Sequence, residues 1–315
     1  MRKTKPTILI SVDVEDWPQS SWDRSLPLGD YCADNTKRVL DILCEFPSAR
    51  VTFFVLGKFA ERHPNILELI KHKGHEIGSH GYGHVELFRL GRERFSKDLE
   101  RSTQLIIDTC GVQPIGYRAP DFSIVVESLW ALEVLAEQGY KYDSSIFPIG
   151  KARYGIANWP RSPVGVRLKA GGIITEFPLA TLELFGRRFP IGGGGYARLM
   201  PAGILTRAFH KAEAQLKFPP VFYCHPYELD PEEFKRISFR IPFKIRMHQG
   251  MGRKHTAYKL RQLLSHFNCI SIGDALAQLD TLPMIDYQPF VLEPGSVHRP
   301  PPLEGAKVQP DESTP

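Results

Sequence analysis

Apolar and polar positions alternate from Thr7 to Val14: Ile8, Ile10, Val12 and Val14 fall on one side, with Ser11 and Asp13 among those opposite. A period of two predicts a strand, here one that ends in the carboxylates Asp13, Glu15 and Asp16. The period then lengthens. Val39, Leu40, Leu43 and Phe46 form one face of a helix over 35–46, and a dense apolar strand follows over 51–56 until Gly57 ends it. Pro64 opens another helix, with Ile66, Leu69 and Ile70 on one face, and Gly74 stops it. Residues 75–79 make a short strand that delivers His80.

The rhythm repeats. Phe95, Leu99, Ser102 and Ile106 mark a helix, 115–118 a strand, 127–138 a helix and 140–143 a strand. Strand and helix alternating at this length predict parallel βα units. From Phe147 to Pro201 the texture turns to Pro, Gly and Arg, which reads as an inserted segment holding short strand-like pieces such as 173–177. Its Gly192-Gly193-Gly194-Gly195 run lacks a following GKS or GKT, so it reads as a flexible turn rather than a phosphate loop. Alternation returns with a helix over 205–216, a strand at Val221–Cys224, an amphipathic helix carrying Leu260, Leu263, Leu264 and Phe267, and a last strand at 270–272. After Leu282 the chain becomes Pro-rich and polar. Residues 1–282 are therefore expected to form one domain and 283–315 a loose tail.

Composition narrows the class. A chain of 315 residues with 42% hydrophobic and 24% charged residues can bury a full core. The net charge of +5 comes from scattered residues, so the basic clusters at Arg187-Arg188 and from Lys244 to Lys254 read as solvated surface with at most a weak pull on anionic partners. No nucleic-acid partner is expected. The first apolar run is broken by Asp13, Glu15 and Asp16, and nowhere do eighteen uncharged apolar residues follow one another, so neither a signal-peptide core nor a membrane span is expected. Five cysteines without CxxC spacing suit reduced thiols, and with these absences they point to the cytoplasm.

The candidate chemistry starts at His80 and His84. Four residues apart in a helical turn they would share a face, and both imidazoles could reach one cation. Alone the pair is weak. Its weight comes from company: the 13–16 carboxylates, His80, Arg118, Asp143 and His225 each follow a predicted strand, and in βα barrels strand ends converge on one face. Singly, Arg118 could be a structural ion pair, Asp143 a helix cap and His225 a satisfied buried histidine.

The motifs Ser-Val-Asp-Val-Glu-Asp-Trp at 11–17, Ser-His-Gly-Tyr-Gly-His at 79–84, Tyr-Arg-Ala-Pro at 117–120, Tyr-Asp-Ser-Ser-Ile-Phe-Pro at 142–148, Gly-Gly-Gly-Tyr at 193–196 and Cys-His-Pro-Tyr-Glu at 224–228 come in this order. Through them the chain, from Ile8 to about Ile272, resembles the NodB-homology polysaccharide deacetylases, carbohydrate esterase family four. It is most similar to the branch found in exopolysaccharide gene clusters. The resemblance implies an α/β fold, a distorted (β/α)7 barrel. It also implies one divalent metal, usually Zn²⁺, held by an aspartate and two histidines, and the hydrolysis of N-acetyl groups from N-acetylhexosamine residues.

His80 and His84 match the two histidine ligands. The first motif admits two registers: Glu15 as base with Asp16 as ligand, or Asp13 as base with Glu15 as ligand. The reading preferred here takes Asp16 as ligand and Asp13 as base. Arg118 matches the arginine that orients the base, His225 the acid that protonates the departing amine, and Asp143 the aspartate that tunes that histidine. Tyr82, Pro120 and Asp121 would border the sugar, with the Asp121 N–H in the oxyanion hole. The family aromatic after the motif-three proline is replaced by Asp121-Phe122. An N-acetylated polysaccharide, an oligosaccharide or a lipid-linked precursor would be the substrate. A metal-free allantoinase-like hydrolase and a non-catalytic sugar-binding member share the fold; intact His80 and His84 speak against the first, and a damaged motif would mark the second.

Overall fold

The structure, a computed structural model, describes residues 5–151, 154–237 and 240–286. Strand β1 (Thr7–Val14) begins it, followed by helix α1 (Asp30–Cys44), β2 (Thr52–Val55), α2 (Gly57–Arg62), α3 (Pro64–His72), β3 (Glu76–Ser79) and the long α4 (Leu87–Cys110). Next come β4 (Gly116–Tyr117), α5 (Ala131–Glu137), β5 (Tyr142–Asp143), β6 (Val164–Arg167), β7 (Ile173–Glu176) and the hairpin β8 (Thr181–Leu184) with β9 (Arg187–Pro190). The remainder is α6 (Gly194–Leu199), α7 (Ala202–Leu216), β10 (Val221–Cys224), α8 (Glu233–Arg236), α9 (Phe243–Gly250), α10 (Thr256–His266), β11 (Asn268–Ile270), α11 (Ile272–Ala277) and β12 (Met284–Asp286).

Seven of these strands form a parallel ring in the order β10-β1-β2-β3-β4-β5-β7. It closes through the residues just past β7. Leu179 bridges Val221 in parallel, and the Ala180 N–H donates to the Val221 carbonyl at 3.1 Å. The ring is distorted because β6 pairs antiparallel along β7, carrying β12 on its outer edge, before β10 reaches that strand. This is the expected distorted (β/α)7 barrel.

The two faces of β1 explain the layering. Ile8, Ile10, Val12 and Val14 point outward into the cluster shared with α1, α3 and α7, while Leu9 joins an inner cluster with Phe54, Tyr142, Phe177, Val221 and Tyr223. A period of two therefore puts Ser11, Asp13 and Glu15 on the inner face as well. Strands β3 and β4 contribute Gly78 and Gly116, and the rings of Phe54 and Tyr142 lean over them, 6.4 Å apart and edge to face.

Several expectations change. Residues 173–176 are a ring strand, so the 147–201 stretch is not simply an insertion. The Gly192–195 run is no loose turn: at Gly193 a Cβ would sit 2.0 Å from the Tyr223 carbonyl oxygen, and φ is 152°, so only glycine lets the backbone pass here. The strand expected at 270–272 is Asn268–Ile270, with Ile272 already starting α11. The tail begins later than residue 283, because Met284–Asp286 pairs with β6; residues 287–315 lie outside the described residues. No helix among the described residues is long and apolar enough to cross a membrane.

The barrel interior has no slack at β4. A Cβ on Gly116 would lie 2.0 Å from the Tyr142 ring, which is fully buried. Gly116→Ala is expected to lower stability by at least about 2 kcal/mol, the scale of overpacking a dense core, read as a fall in urea midpoint. A midpoint unchanged in the variant would mean that Tyr142 can move aside.

Candidate active site

The C-terminal ends of the ring strands open into a cleft of about 690 Å³. At one end Glu15, His80 and His84 meet. One donor atom from each lies within 4.8 Å of the others, and all three residues are buried. Glu15 Oε2 approaches His80 Nε2 at 3.5 Å and also contacts His84 Nε2.

The two histidines are not on a helix. His80 immediately follows β3, and a loop turns the chain back so that the imidazoles stand edge to face, 5.3 Å apart. The turn needs positive φ at Gly81 (75°) and at His84 (58°), the latter rare for a residue with a Cβ. His84 is one of five non-glycine residues with positive φ among those described, and the adjacent Asp121 and Phe122 are two more, each at 53°. All three line the cleft. Strain of this kind is held by surrounding packing and gathers at functional sites.

Both imidazoles are fixed through Nδ1. That of His80 donates to the Arg118 carbonyl at 2.8 Å, and that of His84 to the Ser20 carbonyl at 3.1 Å. In the neutral form of each ring Nε2 then turns its lone pair to the shared point, the tautomer a metal requires. Burial would raise the Glu15 pKa, but the charges of His84 and His225 overcome it and hold the carboxylate well below its usual range. Burial likewise pulls His84 down, yet Glu15 carries it up to about 9. A carboxylate and two imidazoles drawn so strongly to one point fit a borderline divalent cation such as zinc.

The structure corrects the preferred ligand. Asp16 is not in this group: its Oδ2 accepts from the Gly29 N–H at 2.7 Å, and burial raises its pKa to about 7. The reason is the strand period: Asp13 and Glu15 extend the inner face of β1, and Asp16 follows onto the other. The register with Glu15 beside the histidines and Asp13 free for another role is the one that folds.

Asp13 meets Arg118 as expected. The guanidinium is fully buried, and its Nη1 donates to Asp13 Oδ1 at 2.8 Å and to Ser11 Oγ at 2.6 Å. His225 stands at the other edge, with Nε2 3.5 Å from Glu15 Oε1. Its Nδ1 partner is Glu228 Oε1, at 3.3 Å, and not Asp143. Tyr227 stacks on the imidazole at 4.8 Å with an interplanar angle of 11°.

Asp143 lies deeper and serves the fold. It accepts from Ser145 Oγ at 2.6 Å and Ser145 N at 3.1 Å, and it is paired with buried Glu176. Of the expected sugar contacts, Asp121 lines the cleft and Pro120 is buried behind it. Tyr82 faces elsewhere: its hydroxyl donates to Glu61 at 3.1 Å and Arg101 stacks 3.6 Å from its ring. Motif reading missed Glu228, although it is the last residue of the Cys-His-Pro-Tyr-Glu motif, three positions beyond His225. It also missed the far wall, formed by Tyr154, Tyr196, Arg198, Lys244 and His248.

Residues 3–142 match the polysaccharide deacetylase family, and residues 144–277 match a domain of unknown function, DUF3473. A peptidoglycan-N-acetylglucosamine deacetylase from Bacillus cereus is 32% identical over 99 residues, 31% of this chain and 36% of that protein. A peptidoglycan deacetylase from Helicobacter pylori is 34% identical over 97 residues, 30% of this chain and 31% of that one. The chain thus spans about a third of the length of these relatives. Among solved structures, a Mycobacterium smegmatis protein described as a polysaccharide deacetylase superposes with a TM-score of 0.59 over 88% of this chain and 91% of that one; at 21% identity this shows the fold.

The Asp143–Glu176 pair makes stability depend on pH. Burial and the Asp143 charge hold the Glu176 pKa well above its usual value, and burial also raises that of Asp143. A carboxyl group whose pKa is raised on folding favours the fold fully below its unfolded pKa, and that contribution is lost as pH rises toward the folded value. Glu176→Gln keeps a donor toward Asp143 without a titrating proton. It is expected to gain stability relative to the parent protein as pH rises from 5 to 8, measured as the difference in urea midpoints. A difference that stays constant across that range would show that Glu176 holds no proton.

Proposed function

We infer, for a chain that belongs to the polysaccharide deacetylase family, that it hydrolyses N-acetyl groups from N-acetylhexosamine residues of a polysaccharide or its precursor and releases acetate. One observation carries the reading: a carboxylate and two Nδ1-fixed histidines share a point at the end of the cleft, flanked by an Arg118-held Asp13 and a Glu228-held His225.

Glu15, His80 and His84 would hold the divalent metal, most readily Zn²⁺, with a coordination position left open. When bound, the metal supplies Lewis acidity toward the amide carbonyl and a nucleophilic water near neutral pH. The chain's own residues supply the rest. Asp13, fixed by Arg118, accepts the proton of the attacking water. His225 gives a proton to the departing amine, which would otherwise leave poorly, and Glu228 holds Nδ1 so that Nε2 faces the reacting centre. The Glu228 carboxylate stays charged in this role. Burial would raise its pKa, but the hydrogen bond from His225 and the Arg198 charge bring it below its usual range. Trp22, Phe122, Tyr154 and Tyr223 give the cleft flat faces beside polar groups, a lining suited to a sugar ring. The donor set argues against a metal-free allantoinase-like reaction, and the complete acid and base pairs against a binding-only protein.

Acetate release from N-acetylhexosamine oligomers, measured after chelation and after readdition of Zn²⁺, tests the function. Activity that is lost and then restored is expected. Activity indifferent to both treatments would defeat the metal assignment, and no acetate from any N-acetylated oligomer would defeat the reaction.

The ligands can be told apart from the base by metal content. Glu15→Gln and His80→Ala are expected to empty the site, whereas Asp16→Asn should keep its metal. Asp13→Asn, which can still hydrogen-bond Arg118, and His225→Ala should keep metal and slow turnover by roughly 10²–10⁴-fold. Full metal occupancy in Glu15→Gln together with loss in Asp16→Asn would reverse the register argued here.

A further inference from the structure

Helix α9 (Phe243–Gly250) stands at the rim of the cleft, and none of its residues is buried. Its three faces do different things. Lys244, Ile245, His248 and Gln249 line the cleft. Arg246 and Gly250 turn toward Phe234, the guanidinium 5.8 Å from the ring. The third face looks away from the protein: Phe243 is 74% exposed and Met247, one turn on, 47%; Met251 just past the helix is 46% exposed, and Leu199 on the cleft wall 62%. Arg198 pins the helix to that wall by donating to the Gln249 carbonyl at 3.0 Å and the His248 carbonyl at 3.3 Å.

The charge along the segment that carries this stripe has one sign. Between Glu233 and Asp274 the chain contains no acidic residue, while Arg240, Lys244, Arg246 and Lys254 are all exposed. We propose that the α9 face, with Phe243, Met247 and Met251 among basic residues, is a docking surface for an anionic lipid bilayer that sets the mouth of the cleft against the membrane.

Size and chemistry favour this partner. An eight-residue helix is only about 12 Å long, too short to fill the roughly 800 Å² per partner of a stable protein interface. Shallow insertion of a few apolar side chains, aided by basic residues at the headgroups, suits an interfacial helix. A nucleic acid would use the cations and stack at most one base on Phe243, but it would gain nothing from Met247 and Met251. Joined to the deacetylase reading, on which this step rests, the surface implies a sugar substrate presented at a bilayer. Vesicle binding itself does not depend on that reading.

The test is flotation of the whole chain with vesicles of phosphatidylcholine alone, or of three parts phosphatidylcholine to one of phosphatidylglycerol, at low and high salt. Binding to the anionic vesicles that weakens with salt is expected, with little binding to the neutral ones. The double variant Phe243→Asp with Met247→Asp should weaken anionic binding by about tenfold or more while leaving acetate release from soluble oligomers unchanged, since neither residue lines the cleft. Lys254→Glu should weaken binding and reduce its dependence on salt. The proposal is overturned if the parent chain does not float with anionic vesicles, or if the double variant floats as well as the parent, which would mark a general polyanion surface. Vesicle binding without acetate release would leave the docking surface standing and sink the deacetylase reading instead.

Discussion

Arg118 is the charge around which the barrel is assembled. Its guanidinium is wholly buried, so every donor must find a partner or cost free energy. Nη1 is divided between Ser11 and Asp13 of β1, Nε donates to the Ser144 carbonyl and Nη2 to the Ser144 hydroxyl, both at 2.8 Å, just past β5. The face of Phe54 on β2 lies 4.3 Å from the cation. The backbone carbonyl of Arg118 itself receives the Nδ1–H of His80. One buried residue therefore fixes the position of Asp13 and the ring orientation of His80 together. Breaking a buried pair by removing one partner strands the other charge, typically at about 3–5 kcal/mol, so fold and chemistry are protected by the same constraint.

A second network holds the other edge of the site. Glu233 accepts from Trp17 Nε1 and from Arg253 Nη1, both at 2.6 Å, and Arg253 also donates to the Asp230 carbonyl at 3.2 Å. The Arg253 guanidinium lies 5.1 Å from the ring of Tyr227, which in turn stacks on His225. Trp17 immediately follows the 13–16 carboxylates, so this chain of contacts locks the end of β1 to the segment carrying His225 and Glu228. The spacing of the Asp13–Glu15 end of β1 from His225 is thus held by buried side-chain contacts.

How much of this was legible in the sequence depended on how local each cause is. The alternation in β1, the helical faces of α1, α3 and α10, and the strands β2, β3, β4, β5 and β10 rest on periodicity and were readable. The same alternation also puts Asp13 and Glu15 on one face, and strand period decides between the two registers where motif likeness left a choice. The His80–His84 pair was legible as a pair but not as a loop, because positive φ at His84 is imposed by surrounding structure. Asp143 was misread because its partner, Glu176, lies on β7, a strand that pattern alone left inside an insertion. Glu228 was within reach: an acid three residues after a histidine can meet it across a single turn. The far wall, from α6 and α9, carries no periodic signal strong enough to find.

The two matched regions meet inside β5: one ends at residue 142, the other begins at 144, and the strand is Tyr142–Asp143. The ring cannot be cut there. The first region supplies Glu15, His80, His84, Asp13 and Arg118, yet the strands that close the barrel, β7 and β10, belong to the second. So do His225, Glu228 and the far wall of the cleft. Arg118 depends on Ser144 across the same boundary. The first region alone would leave a buried guanidinium short of two partners and the Glu15, His80 and His84 cluster without His225 beside it. Differences in cleft shape among chains built this way should then arise mainly in the second region, where Tyr154, Tyr196, Arg198 and α9 form the far wall.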